Sequence, residues 1–561
     1  MEDTPERTRL VDYEILELAT LFRAGHTTSV EVTQEYLRRI DEFNGPFETY
    51  DENGGYNAFV RVDHDAALQQ ATDADARLRD DPQAPLLCGI PVGAKDSIAI
   101  QGMEAKNGTH LFDGNLADKD AAAVAALRSD GAVVLGHTIA SEFSTHTTGT
   151  FAGNAWDPRY IPGGSSQGSG VAPIARLAAA AIGVETGGSI VTPAACNGVS
   201  AIKPTLGLVS ESGVMQGSPG MDVAGPMARS MRDASLLLNA MTRFDQRNNP
   251  ATLGPAPTYP LKPQEAGEPL AGLHIGIPQS DWMGGTSVGP GRRPPADTYD
   301  TDYRTAFERC KEELRALGAE VYEFEGLDLS DPDHDPFSNG ELQEIDGMLF
   351  TAALANRGLN QRRLRQLEAV RAFAETRPNG QELIYKYAID FLIPRYAQLS
   401  FATQLASERR RRLLCDGYQA ALEQADVDFM LVLPLGAHIP VRFQPENPNY
   451  EPSHTNQRAF YSHPNLMGWP MVTFPIGLGN SLPLPITAAF WGPRFSEPLL
   501  TQATIDYQHH YPDYHHLAPP DPLFGPATKR PPQQPRVGPL TSMTTADPLG
   551  WELTTMAAML Q

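Results

Sequence analysis

The sequence predicts a layered α/β fold, and three stretches carry that expectation. Ala121 to Arg128 has helical spacing and is followed at once by a buried strand pattern, Gly131-Ala132-Val133-Val134-Leu135-Gly136. Tyr56-Asn57-Ala58-Phe59-Val60 reads as a strand and leads into a long helical pattern from Asp65 to about Leu78. Tyr303 to Leu317 is amphipathic, stops at Gly318 and gives way to a strand starting at Val321-Tyr322. Helices alternating with strands in this way cover a sheet.

Composition sets bounds on function. At 561 residues the chain can bury a large core, and length alone would allow three or four domains. The apolar fraction of 41% is that of an ordinary soluble protein. A formal net charge of −24 disfavours nucleic acid and anionic membrane surfaces as partners. Cys88, Cys196, Cys310 and Cys415 are scattered, without zinc-site spacing or the density of a disulfide scaffold, so reduced thiols in a cytoplasmic protein are expected. The N-terminus is acidic and precedes no apolar leader, and no apolar run approaches the length of a membrane span.

Taken in order, residues 11 to 43 look helical, with Thr27, Thr28 or Ser29 available as a cap. Leu86 to Lys95 ends as a short apolar strand closed by a lysine. A lone lysine there is normally solvated, but two glycine–serine clusters follow it: Gly163-Gly164-Ser165-Ser166 and Gly187-Gly188-Ser189. Between them lies an Ala-rich segment ending in the apolar run Ala180 to Val184. Adjacent glycines let backbone approach a ligand, and consecutive N–H groups can cradle negative charge. A serine directly after such a cradle can attack a carbonyl while the cradle holds the oxyanion. That serine needs a base. No histidine follows either cluster closely, whereas a buried lysine readily gives up its proton.

Two plainer readings compete at the first cluster. Gly164-Ser165-Ser166-Gln167-Gly168 satisfies G-x-S-x-G, the nucleophile elbow, which would make Ser166 the nucleophile. The elbow needs a strand before it, and Tyr160-Ile161-Pro162-Gly163 is a poor one because proline removes a ladder donor. A flexible Gly/Ser linker is the other reading. Against it, the segment is short and runs from a turn into an apolar, Ala-rich helix.

These blocks, with Ile202-Lys203-Pro204-Thr205 and Asp222-Val223-Ala224-Gly225-Pro226, resemble the amidase signature family of Ser–Ser–Lys hydrolases. The resemblance spans roughly residues 30 to 510, from the helix Ser29 to Ile40 through Asp428 to Pro434, Asn465 to Gly477 and Leu482 to Pro493. It implies a mixed central β-sheet covered by helices on both faces. It implies Lys95 as base, Ser165 as bridging serine with a cis peptide after Gly164, and Ser189 as nucleophile. It implies an oxyanion cradle around Thr186, Gly187, Gly188 and Ser189, with Gly164 and Met103 on the substrate side, and neither cofactor nor metal.

The chain also departs from the family pattern. Glu185 stands where aspartate is usual and Val191 where arginine is frequent, which removes an expected ion-pair partner for the acid; this pair is similar to fungal-type members. His137 opens a block that usually opens with lysine and reads as structural, as His146 reads as a loop residue. Pro485-Ile486 replaces the usual Val-Gly of a late strand.

The resemblance organises the chain as a single domain, 1–561. Within it lie an N-terminal helical region (about 1–80), a signature core (81–240), a Pro/Gly-rich insertion (245–300), a variable helical region (300–425), C-terminal core strands (426–510) and a Pro-rich tail (511–561). The arginines at 362, 363, 365 and 409 to 412 read as solvated faces. His509, His510, His515 and His516 sit among tyrosines and prolines without the fixed spacing of a metal site. A terminal helix from about Pro548 to Leu560 is expected to dock back.

The function these readings imply is hydrolysis of a carboxylic amide, or by the same chemistry an ester, through an acyl-enzyme. The substrate is then a small-molecule amide, and relatives often pair as homodimers. The alternative is the amidase component of a tRNA-dependent amidotransferase complex, which passes ammonia to a partner. A scaffold with a retired site would have lost one of Lys95, Ser165 or Ser189, and all three are present.

Overall fold

A computed structural model of the chain describes residues 7, 9–48, 55–144, 151–215, 221–242, 258–278, 299–327, 401–442 and 462–521. His146, most of the Pro/Gly-rich insertion, the helical region from 340 to 400 and the terminal helix expected at 548–560 lie outside them.

The helical region predicted over 11–43 divides in two, α1 (Ile15–Ala24) and α2 (Ser29–Phe43). Gly25 ends α1 in the left-handed region at φ 70°, which glycine adopts without a Cβ clash. Thr28 then caps α2: its hydroxyl accepts from the Glu31 N–H, and Glu31 reaches back in a capping box. The strand and helix that follow are β1 (Phe59–Val62) and α3 (His64–Asp80). Next come β2 (Pro91–Lys95), α4 (Ala122–Ser129) and β3 (Val133–Thr138).

The signature region supplies α5 (Gln167–Ile174), β4 (Ala180–Glu185), α6 (Val191–Asn197), β5 (Ser200–Lys203), β6 (Val223–Ala228) and α7 (Met231–Met241). Beyond the insertion lie β7 (His274–Pro278), α8 (Thr301–Ala316) and β8 (Glu320–Phe324). The chain continues with α9 (Phe401–Ala425), β9 (Phe429–Val432), α10 (Ser462–Met467), β10 (Met471–Leu478) and β11 (Pro485–Trp491). It closes with α11 (Glu497–His510) and α12 (Asp513–His516).

Among the described residues eleven strands join one mixed sheet in the order β1-β3-β2-β4-β6-β5-β10-β11-β9-β7-β8. Its heart, β3-β2-β4, is parallel, and β6 returns antiparallel against β4. The strands are buried on both faces, so they read as continuous apolar runs. Their alternate residues nevertheless part into two cores. Val133 and Leu135 belong to one apolar cluster and Val134 to the other, and Ala201/Ile202 and Met227/Ala228 divide the same way. Helices α3 and α5 pack into one cluster; α1, α4, α7 and α8 pack into the other. The α/β class and the helix-covered mixed sheet expected from sequence are therefore the observed architecture. Pro485 is accommodated at the first position of β11, where a missing N–H is tolerated.

Cys88, Cys196 and Cys310 are buried thiols and Cys415 is half-buried. Among the described residues no helix is long and apolar enough to cross a membrane.

Candidate active site

Sheet topology gathers the chemistry at one end. Lys95 is the last residue of β2 and Glu185 the last of β4; these strands are parallel neighbours, so both residues end on the same edge. Because β6 runs antiparallel, with Val223 opposite Glu185, Asp222 arrives at that edge too. The Gly187-Gly188-Ser189 turn follows β4 and leads into α6, and residues 163–166 lead into α5. Gly163 takes φ 74°, and a Cβ there would lie 2.8 Å from the Pro193 backbone nitrogen, so only glycine lets the two turns close on each other. The Gly164–Ser165 peptide is cis.

The three residues form an unbroken line. Lys95 Nζ donates to Ser165 Oγ at 2.8 Å, and Ser165 Oγ lies 2.8 Å from Ser189 Oγ, to which it donates. Lys95 Nζ also donates to the Val184 carbonyl at 3.3 Å. Lys95 and Ser165 are fully buried, and Ser189 keeps 2% exposure. Burial lowers the Lys95 pKa from 10.5 to about 7, and the negative charges of Asp222, Glu185 and Asp96 limit the fall. A substantial neutral fraction is thus available near neutral pH.

Around Ser189 the backbone is pinned from several sides. Gly188 takes φ 111°. The Gly188 carbonyl accepts from the Thr192 N–H at 2.7 Å, and the Ser189 carbonyl from the Ser166 N–H at 3.2 Å. The Thr186 hydroxyl donates to the Asp222 carboxylate.

Glu185 has a role that the sequence left open. Its Oε2 accepts from the Ile190 and Val191 N–H groups at 2.7 and 2.8 Å, and its Oε1 from Asn465 Nδ2 at 2.7 Å. The arginine missing at 191 is replaced by backbone donors and Asn465. Lys203 adds favourable charge nearby; burial lowers its own pKa to about 8. Glu185→Ala would remove the acceptor that the buried Ile190 and Val191 N–H groups use. Stability should fall by about 3 kcal/mol or more, with a loss of turnover, measured by denaturant unfolding beside a rate assay.

Asp222 and Asn465 stand in blocks quoted above, yet nothing local marks them as site residues. Asp222 accepts from Thr186 and Asn465 donates to Glu185, each a residue distant in sequence.

The elbow reading of Ser166 finds no support in the geometry. Ser166 Oγ donates to the Val184 carbonyl at 3.1 Å and accepts from the Val184 N–H at 3.2 Å, tying α5 to β4. No strand immediately precedes it. Ser166→Ala should cost about 1 kcal/mol of stability and leave the rate close to wild type; a rate loss matching that of a Ser189 variant would reinstate the elbow.

His137 is structural, as expected. Its Nε2 donates to the Ile98 carbonyl at 2.8 Å, and Nδ1 accepts from Arg61 at 3.0 Å. Burial holds its pKa down to about 4.

Met103 belongs to the loop that Asp96 anchors through the Lys106 and Gly108 N–H groups. It lines a cavity of about 490 Å³ with Arg61, Asp63, His64, Glu104 and Leu116, and none of Lys95, Ser165 and Ser189 lines that cavity.

Comparison with known proteins gives this geometry a setting. The family model described as Amidase matches residues 31–501. A glutamyl-tRNA(Gln) amidotransferase subunit from Methylobacillus flagellatus is 31% identical over 518 residues, covering 89% of this chain and 97% of that protein. Among solved structures, the peptide amidase of Stenotrophomonas maltophilia superposes with a TM-score of 0.70 at 28% identity, over 91% of this chain and 98% of that one. The glutamyl-tRNA(Gln) amidotransferase subunit from Thermotoga maritima gives 0.64 at 20% identity, over 90% and 95%, a likeness of fold alone.

Proposed function

The chain belongs to the amidase family, and from that premise we propose that it hydrolyses a carboxylic amide by acyl transfer through Ser189, Ser165 and Lys95. The observation that carries this reading is the line of two 2.8 Å contacts from a buried lysine to Ser189. Hydroxyl protons can swing, so neutral Lys95 takes the Ser165 proton while Ser165 takes that of Ser189. Ser189 Oγ attacks the carbonyl carbon. N–H groups of the 186–189 turn meet the developing oxyanion, each such donor contributing about 2.7–4 kcal/mol to the transition state. The relay then runs backward and protonates the departing amine. Water, deprotonated by the same pair, frees the acid. In this reading the whole chain works as one amidase-signature domain, and Gly164 borders the acyl group.

The second reading is the amidotransferase component, favoured by the curated relatives whose full length this chain matches. There the released ammonia would pass to a partner. The likeness to peptide amidase, at 28% identity over 91% of this chain, supports a stand-alone enzyme acting on a small amide.

The test uses the purified chain with peptide amides, aliphatic amides, aryl amides and glutamine, following ammonia release and, by intact mass, an acyl adduct on Ser189. Turnover on a simple amide by the isolated chain supports the first reading. Turnover of glutamine alone, and only with a co-purifying partner protein, supports the second.

A further inference from the structure

We propose that Glu14, His515 and His516 form a binding site for a divalent transition metal of the zinc type, linking α1 to α12. Glu14 is the residue just before α1, and the two histidines close α12. His515 Nε2 lies 3.5 Å and His516 Nε2 3.3 Å from the same oxygen, Glu14 Oε1. Donor atoms from all three residues lie within 4.8 Å of one another.

Those separations are long for N–H···O hydrogen bonds, which cluster at about 2.7–3.2 Å. They fit a tetrahedral edge: ligands about 2.0–2.1 Å from a zinc ion stand about 3.3–3.4 Å apart. Glu14 is 7% exposed and His515 8%. Among the described residues Glu14 Oε1 and His515 Nδ1 make no hydrogen bond, an arrangement that costs stability unless another group serves the carboxylate. A cation at the centre of the three would do so.

Two imidazoles with one carboxylate suit zinc and its transition-metal neighbours, whereas calcium and magnesium prefer oxygen ligands throughout. The His516 side chain is 39% exposed, which gives an ion a path in and leaves room for water as a further ligand. Nearby cationic groups are engaged elsewhere. Arg7 pairs with Glu17 at 2.8 Å, Arg229 donates to the Val11 and Tyr13 carbonyls, and Arg232 donates to the Leu261 carbonyl. The Asp233 carboxylate is occupied with the start of α1, where it accepts from the Ile15 N–H at 3.0 Å.

The experiment takes the full chain without an affinity tag, strips it with chelator, dialyses it against zinc and measures bound metal by mass spectrometry beside the Tm. One equivalent per chain and a Tm that climbs with zinc concentration are expected. Glu14→Gln, and His515→Gln with His516→Gln, should weaken binding about tenfold or more and abolish the Tm response. His509→Gln with His510→Gln should change neither. Cobalt in place of zinc should give a tetrahedral visible spectrum in wild type that Glu14→Gln loses, which decides the matter if the double histidine variant fails to fold. Substoichiometric binding in wild type, or binding that survives Glu14→Gln, would overturn the site and leave a simple Glu14–His516 ion pair.

Discussion

Ser189→Ala is expected to lower amide hydrolysis by about 10⁴-fold or more while the protein still folds. Its Oγ touches only Ser165 Oγ in the line of proton transfer, so the loss falls on chemistry and not on packing. Ser165→Ala and Lys95→Ala should cost comparable factors. The three effects should not add, because removing any one breaks the same relay. Unfolding curves beside the rate assay check this: wild-type stability with lost rate supports the relay, and a retained rate in Ser189→Ala would move the nucleophile elsewhere.

Lys95→Met should abolish activity and raise stability at the same time. In the folded protein burial brings the Lys95 pKa to about 7, against 10.5 as the ordinary value. Between these limits the unfolded chain holds a proton that the folded chain does not, so this group's contribution to stability rises with pH across that window. Below pH 7 a charged ammonium must be buried and the cost is present in full. The variant should therefore melt above wild type at pH 6, with the gap closing as pH is raised toward 10. For the wild type, kcat/KM should climb with pH through about 7 as Lys95 becomes neutral. A Tm below wild type at pH 6 would show that the hydrogen bonds of Nζ to Ser165 and Val184 outweigh its desolvation. A rate independent of pH from 6 to 9 would remove Lys95 as the base.

Much of this site could be read without coordinates because it is built from local patterns. Adjacent glycines let backbone turn tightly and approach a ligand, and a lysine closing an apolar strand can, if buried, give up its proton. The resemblance of these blocks, in order, to the amidase signature family then implied Lys95, Ser165 and Ser189 as one constellation. The α/β class followed for the same reason, since alternating helix and strand patterns are properties of short windows.

What sequence left unread depends on contacts between distant residues. It gave no reason for Asn465 to serve Glu185, or for Asp222 to meet Thr186; strand order and the antiparallel return of β6 decided both. It read residues 11–43 as helical with Thr27, Thr28 or Ser29 as a cap, and the structure puts the cap at Thr28, just after the left-handed turn at Gly25. The elbow motif at Ser166 was ambiguous in one dimension and became a strand-to-helix tie once β4 lay beside it. His515 and His516, adjacent in sequence, lacked any ligand spacing of their own. Their convergence on Glu14 was made by packing the C-terminal helices against the start of α1. Local periodicity and turn chemistry are written residue by residue, whereas a buried carboxylate's partners are set by which surfaces fold together.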